Sequence, residues 1–76
     1  MENSNVAFGK VLASLRQSAR LSQEELAERA DIHRTYVSQV ERGLKSPTLI
    51  VLFRLASALE TTPSRILKQV EAKVSL

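Results

Sequence analysis

Five side chains that can hydrogen-bond to nucleic-acid bases recur at helical spacing between residues 34 and 42. At about 100° per residue they share one side of a helix, while Val37 and Val40 take the other side. Arginine is the usual bidentate partner of guanine, glutamine can bond adenine, and serine or threonine can reach a base edge or a phosphate. The pattern favours a helix face that contacts DNA, and the alternative is an ordinary solvated polar face. The five residues are Arg34, Thr35, Ser38, Gln39 and Arg42.

A shorter helix and a turn are expected to position this face. Residues 22–25 read S-Q-E-E, the capping-box pattern, so we predict that a helix begins at Gln23. Residues 31–33 interrupt the apolar periodicity, and a second helix is predicted over residues 34–42. Gly43 ends it, because glycine adopts the left-handed conformation at little cost. Two short helices joined by such a turn match the helix-turn-helix geometry, in which the second helix lies in the major groove.

Residues 21–43, LSQEELAERADIHRTYVSQVERG, resemble the helix-turn-helix of the lambda repressor/Cro family, also called the Xre family. The segment RTYVSQVERG at 34–43 resembles the recognition-helix signature of that family closely. The segment PTLIVLFRLASALETTPSRIL at 47–67 is similar to the fourth and fifth helices of the family. The resemblance implies an all-α, five-helix, lambda-repressor-like DNA-binding domain with the helix-turn-helix at helices 2 and 3. It would be a single domain over residues 1–76, with a core at about 7–68.

The resemblance also implies roles for individual residues. Gln23 would contact a phosphate and help to orient the recognition helix, and Arg42 and Lys45 would bind the DNA backbone. The family pairs an arginine of its first helix with the glutamate that stands at Glu41, which points to a partly buried ion pair with Arg16. The residues implied to face the bases are Arg34, Thr35, Ser38 and Gln39.

Two residues in the turn depart from the family pattern. Asp31 stands where the family often has glycine, and aspartate can occupy a turn with positive φ, though less easily. His33 stands where the family often has serine, threonine or aspartate as the helix cap. Histidine is a weaker cap than those residues, so the sequence leaves two alternatives for His33: a solvated side chain, or one that points at a phosphate.

Three more helices are predicted around the helix-turn-helix, over about residues 7–19, 48–59 and 63–73. Residues 1–5 are polar and expected to fray. Ser46 or Thr48 is expected to cap the fourth helix and Thr62 the fifth. The residues expected to face the core are Val11, Leu12 and Leu15 in the first helix, Leu49, Leu52, Leu55, Ala56 and Leu59 in the fourth, and Ile66 and Leu67 in the fifth.

The predicted fourth and fifth helices carry more apolar residues than one small core needs. A helix that is apolar nearly all round must be buried on more than one side, and here the second side is expected to be another copy of the chain. The alternative is a tail that packs on its own domain. A homodimer would place two recognition helices about 34 Å apart, which predicts a pseudo-palindromic target. The residues assigned to the dimer interface are Ile50, Val51, Phe53, Val70 and Val74, with Leu76 extending the stripe.

Composition limits the other possible functions. The chain has 76 residues, 43% of them hydrophobic, with no cysteine and one histidine, so neither a disulfide framework nor a metal cluster is expected. The net charge is +3, and residues 32–45 carry three basic side chains against one acidic side chain, which supports phosphate binding. No signal peptide or apolar run long enough to span a membrane is present, so a cytoplasmic protein is expected. No catalytic constellation, cofactor site or small-molecule site is evident.

The sequence therefore predicts a homodimeric transcriptional regulator that binds double-stranded operator DNA and is not an enzyme. Because no sensor domain is expected, control would come from concentration, cooperativity or a partner protein. The chain is similar to the stand-alone members of the family, among them the controller proteins of restriction–modification systems. The alternatives are a phage-type repressor or antitoxin of the same fold, or a helical protein-interaction module without DNA specificity. An apolar or acidic recognition face would indicate the last of these.

Overall fold

The computed structural model describes residues 3–74, and within that range the chain is all helix, turn and loop, without a strand. This confirms the predicted all-α, five-helix fold. The helices are α1 (Ser4–Ser18), α2 (Gln23–Ala30), α3 (Arg34–Glu41), α4 (Leu49–Ala58) and α5 (Pro63–Val74). The predicted bounds agree with these to within a few residues.

Helix α1 begins at Ser4 rather than near residue 7. The Oδ1 atom of Asn3 accepts hydrogen bonds from the backbone N–H groups of Asn5 and Val6, at 2.7 and 3.4 Å. Asparagine is one of the strongest N-cap residues, because its side chain satisfies N–H groups that have no partner within the helix. The expectation that this segment frays is therefore wrong from Asn3 onward.

The core forms where α1 packs against α3 and α5, and where α2 packs against α3 and α4. Each helix contributes its apolar stripe, and several of the larger side chains are completely enclosed. Because α3 packs on both α1 and α2, its orientation is set by two helices. The largest fully buried side chains are Leu12, Leu26, Leu55, Ile66, Val11, Val37 and Val40.

The core extends further along α5 than predicted. Val70 and Val74 were assigned to a dimer interface, but each is only 7% exposed within a single copy and belongs to the core cluster with Ile66. These three residues recur every fourth position, which keeps them on one face, and α1 lies along that face. The assignment of Val70 and Val74 to the dimer interface is therefore corrected, and Leu76 lies outside the described residues.

Helix α4 buries most of its predicted stripe, with Leu52, Leu55 and Ala56 in the core and Leu59 packed against it. Leu49 was expected to face the core but is 74% exposed, because it is the first residue of the helix and lies beyond the edge of the core. Val51, which was assigned to the dimer interface, is half-buried and packs against the core instead. Leu67 of α5 was also expected in the core and is 42% exposed. Ile50 and Phe53 remain on the surface as predicted, at 68% and 61%.

Left-handed residues follow each of the first four helices. Gly43 has φ +76° and Asp31 has φ +56°, as the sequence predicted, and Arg20 and Glu60 adopt similar values. Only Gly43 also needs the space of a missing side chain, because an added Cβ would lie 2.8 Å from Cγ2 of Val6. Glycine is thus required there by both conformation and close approach, whereas the other three positions tolerate a side chain.

Candidate nucleic-acid interface

The N-terminus of α2 is held by the predicted capping box. The Oγ atom of Ser22 accepts the N–H of Glu25 at 3.0 Å, and Oε1 of Glu25 accepts the N–H of Ser22 at 2.9 Å. The hydrogen bonds with Ser22 stabilise the carboxylate and lower the pKa of Glu25 below its usual value. Helix α2 consequently begins at Gln23, whose side chain points toward α3.

The turn between α2 and α3 is held at two points. Ile32 is half-buried against the core, and its N–H donates to the carbonyl oxygen of Ala27 at 3.0 Å. His33 is the N-cap of α3, and its Nδ1 accepts the N–H of Thr35 at 3.1 Å. Neither alternative considered for His33 included this capping role. Because Nδ1 is the acceptor, the proton of the neutral ring lies on Nε2.

The predicted DNA-contacting residues fall into two groups. A cleft of about 190 Å³ is lined by four of them, at the N-terminal ends of α2 and α3. The lining residues are Gln23, Arg34, Thr35 and Ser38. Gln39 is half-buried on the same helix, Arg42 is its C-cap, and Lys45 is exposed in the loop that follows. These three lie outside the cleft and extend the polar surface toward the C-terminal end of α3.

The ion pair between Arg16 and Glu41 is present. Nε of Arg16 donates to Oε2 of Glu41 at 2.6 Å, and Nη2 donates to Oε1 at 3.1 Å. A third bond joins Nη1 to the carbonyl oxygen of Leu21 at 2.8 Å. The side chains are 13% and 6% exposed, so the pair is largely shielded from water. The hydrogen bond to Glu41 raises the pKa of Arg16 above its usual value.

Gln23 joins this ion pair, which the sequence did not indicate. Its Nε2 donates to Oε1 of Glu41 at 2.9 Å. One carboxylate therefore binds a side chain from α1 and a side chain from the first position of α2, and it projects from the last residue of α3. The amide nitrogen of Gln23 has a second hydrogen, which is the one a phosphate oxygen could accept.

Three other residues that position α3 or the segments next to it were not identified from the sequence. Gly9 lets α1 approach the end of α3, since an added Cβ would lie 2.5 Å from the carbonyl oxygens of both Val40 and Glu41. The hydroxyl of Tyr36 donates to the carbonyl oxygen of Ser46 at 3.3 Å, which ties α3 to the loop that carries Lys45. The third is Arg54, which contacts the turn. A glycine inside a predicted helix was the one available signal, because such a residue often marks a close approach.

Two kinds of site are absent from residues 3–74. They contain no group of three or more histidine, cysteine, aspartate or glutamate side chains that could hold a metal ion. None of the described helices is both long enough and apolar enough to cross a lipid bilayer.

The sequence model of the Helix-turn-helix family matches residues 12–66. Control protein C.BamHI of Bacillus amyloliquefaciens is 36% identical over 66 residues, which cover 86% of this chain and 82% of that protein. An uncharacterized HTH-type transcriptional regulator of Mycobacterium tuberculosis, Rv0474, is 43% identical over 54 residues, or 71% of this chain. The match spans only 39% of the length of that regulator.

A solved structure shares both the fold and the sequence pattern. The restriction–modification controller protein C.AhdI from Aeromonas hydrophila superposes with a TM-score of 0.80 at 40% identity, covering 82% of this chain and 94% of that one. The family match, the identities and the helix-turn-helix geometry agree with one another. The chain therefore belongs to the helix-turn-helix family of transcriptional regulators and is similar to the controller proteins of restriction–modification systems.

Proposed function

We propose that this protein regulates transcription as a homodimer that binds a pseudo-palindromic operator and inserts α3 of each copy into the major groove. The observation that carries the proposal is the polar cleft at the N-terminal ends of α2 and α3. It places an arginine, two hydroxyls and an oriented amide side by side on two adjacent helices. These groups suit base edges and phosphates together, and neither an apolar nor an acidic face is present there.

Within this proposal the residues fall into two groups, those that contact bases and those that contact phosphates. Arg34, Thr35, Ser38 and Gln39 read base edges from the outer side of α3. Arg42 and Lys45 bind phosphates at its C-terminal end, and Gln23 donates its second amide hydrogen to a phosphate at the other end.

The charge distribution supports phosphate binding at this surface. Glu41 is the one acidic residue of α3, and its carboxylate is already occupied by Arg16 and Gln23. Arg34, Arg42 and Lys45 are exposed, so the outward-facing charge of this region is positive. Such a surface attracts DNA irrespective of sequence and contributes the salt-dependent part of the affinity.

The second copy is proposed to bind through α4. Leu49, Ile50 and Phe53 are 74%, 68% and 61% exposed, and α4 is next to an apolar groove of about 260 Å³ whose walls include Phe8 and Leu67. Burying side chains of this size stabilises an association by roughly 1.5–3 kcal/mol for each one removed fully from water. A two-fold operator needs two identical modules, which makes a second copy the natural occupant of this surface.

The relatives favour a more specific role as a controller of a restriction–modification system. C.BamHI is named a control protein, and C.AhdI is named a restriction–modification controller. We infer that this chain binds the promoter region of such a system and adjusts its transcription.

The decisive experiment is selection of bound duplexes from a randomised pool at near-physiological salt, followed by sequencing. We expect enrichment of a pseudo-palindrome whose half-sites lie about one helical turn apart. Enrichment of a single half-site would support DNA reading but contradict the dimer. Failure to enrich any sequence, with a protein shown to be folded by circular dichroism, would overturn the proposal in favour of a protein-interaction module.

A further inference from the structure

Arg54 contacts the turn of the helix-turn-helix from a helix outside that motif. Its Nη1 donates to the carbonyl oxygen of Asp31 at 3.3 Å, across 23 positions of the sequence. Asp31 is the left-handed residue that ends α2. Arg54 follows Phe53 directly and lies one helical turn after Ile50, both exposed on α4. One short stretch of α4 thus carries both the proposed dimer surface and a contact to the turn.

The bond fixes the peptide group that directs the chain from α2 into α3. That peptide joins Asp31 to Ile32 and is planar, so its carbonyl and its N–H turn together. The N–H of Ile32 donates to the carbonyl oxygen of Ala27 at 3.0 Å, and Arg54 binds the carbonyl on the opposite edge. With both edges held, the peptide cannot rotate without losing a hydrogen bond. The next residue, His33, caps α3, so the direction of this peptide determines where α3 begins.

The packing of the helices shows how α4 is connected to α3. Helix α3 packs mainly on α1 and α2, whereas α4 packs mainly on α2 and α5. The proposed dimer helix is therefore connected to the recognition helix through α2 and the turn. Arg54 is the side chain of α4 that reaches the turn by a hydrogen bond.

We propose that Arg54 is a positioning residue, which holds the turn so that α3 keeps the orientation needed to read its half-site in the dimer. The proposal rests on the proposed function, since it concerns the same recognition helix. It requires no contact between Arg54 and DNA. Loss of the bond should therefore reduce sequence-specific binding, while charge-driven binding to any duplex is retained.

The first test compares Arg54→Ala and Arg54→Lys with the wild type on the selected duplex and on a scrambled duplex of the same composition. Arg65→Ala, at an exposed arginine of α5, controls for the loss of one positive charge. We expect Arg54→Ala to weaken specific binding by about threefold to tenfold, the range set by the net strength of one hydrogen bond. Binding to the scrambled duplex should match that of Arg65→Ala. Lysine keeps a donor and the charge, so Arg54→Lys should restore most of the specific affinity.

The salt dependence separates this role from a direct phosphate contact. A positioning residue leaves the slope of log affinity against log salt unchanged. A phosphate contact would instead lower the slope by about one unit and weaken both duplexes equally, and that result would overturn the proposal. Unchanged specific affinity in Arg54→Ala would overturn it as well.

A second test needs no DNA and so separates this inference from the proposed function. Amide hydrogen exchange at Ile32 should become faster in Arg54→Ala, because the peptide loses the bond on its other edge. Exchange at Val11 and Ile66, in the core of α1 and α5, should match the wild type. Unchanged exchange at Ile32 would contradict the role of Arg54 even if the wild type selects an operator. If no operator is selected but Ile32 exchanges faster, the proposed function fails and with it the role of Arg54 in reading DNA, while Arg54 is still shown to hold the turn.

Discussion

At the scale of single residues, the carboxylate of Glu41 is where three elements meet. It accepts bonds from Arg16 of α1 and Gln23 of α2, and it projects from the end of α3. A carboxylate that is only 6% exposed has lost most of its contact with water, and Arg16 and Gln23 supply hydrogen bonds in place of water. The bond from Gln23 therefore links the two helices of the motif, and the bonds from Arg16 link α3 to α1.

Removing Arg16 from the ion pair should destabilise the protein. Arg16→Met leaves the Glu41 carboxylate shielded from water with Gln23 as its side-chain donor, and we expect the free energy of unfolding to fall by about 3–5 kcal/mol. Urea denaturation measures this change in the free energy of unfolding. The double variant Arg16→Met/Glu41→Met should recover part of the loss, because it strands no charge. A loss below about 1 kcal/mol would show that the pair behaves like an exposed surface pair.

Arg34 and Lys45 are expected to contribute in different ways to DNA binding. Arg34 lies in the cleft, so Arg34→Ala should cost about 1–3 kcal/mol on the selected operator and much less on random DNA. Lys45 lies in the loop, so Lys45→Ala should weaken both duplexes equally and flatten the salt slope by about one unit. Fluorescence anisotropy over a salt series measures both effects. Equal losses on both duplexes for Arg34→Ala would reassign Arg34 to the backbone.

At the scale of elements, the eight-residue α3 depends on its neighbours and its ends. Helices of this length are marginal in water by themselves. The His33 cap satisfies an N–H at the start of α3, and Val37 and Val40 are completely buried. The close approach at Gly9 brings α1 against its C-terminal end. The orientation of the polar face of α3 therefore depends on the His33 cap, the buried valines and the contact with α1.

Replacing Gly9 with alanine should destabilise the protein, although alanine normally stabilises a helix relative to glycine. Alanine in place of a mid-helix glycine normally stabilises by roughly 0.5–1 kcal/mol. Here the added Cβ would lie 2.5 Å from two backbone oxygens, so α1 and α3 must separate. We expect Gly9→Ala to destabilise by about 1–3 kcal/mol in thermal or urea unfolding, as overpacking does. Ser14→Ala, at an exposed site of α1, is the control. If Gly9→Ala is more stable than the wild type, α1 and α3 can separate at Gly9 with little loss of stability.

The capping box of α2 predicts a pH dependence. The pKa of Glu25 is lowered in the folded protein by its bonds with Ser22, so the folded state favours the carboxylate. This contribution is complete above the usual glutamate pKa of about 4.3 and is lost as the pH falls through the lower folded value. Glu25→Gln retains a capping acceptor without the charge. The stability difference between wild type and Glu25→Gln should shrink below that pH, and a difference independent of pH would exclude this role.

At the scale of the whole molecule, the two proposed surfaces lie on different helices. The residues proposed to contact DNA lie on α2, α3 and the loop after α3, whereas the exposed apolar residues Ile50 and Phe53 lie on α4. Dimerisation and DNA reading can therefore be altered separately. The hydrogen bond from Arg54 to the carbonyl oxygen of Asp31 links α4 to the turn between α2 and α3.

Charged residues on α4 should separate the copies. Ile50→Glu/Phe53→Glu changes side chains that are 68% and 61% exposed, so the fold should persist while the dimer dissociates. Sedimentation velocity should show monomers, and affinity for the full operator should fall toward that for a half-site. Ala72→Glu, at an exposed position of α5, controls for added charge. An intact dimer would place the interface elsewhere on the molecule.

The helices and their ends were largely determined by local sequence. Capping residues, glycine and apolar periodicity act within a few positions, so the capping box, the left-handed Asp31 and Gly43, and the five helices could be predicted. The family resemblance added the pairing of Arg16 with Glu41, which is present. The DNA-contacting residues stay predictions, although four of them share one cleft.

Tertiary structure alone decided which apolar faces are covered. The spacing of Val70 and Val74 on α5 is the same whether α1 or a second copy lies against them, and the fold places α1 there. Leu49 has the spacing of a core residue but is 74% exposed at the first position of α4. The close approach at Gly9 and the contact from Arg54 to the turn also join distant parts of the chain. Burial and long-range contacts depend on which elements become neighbours in space, and periodicity within one helix contains no information about that.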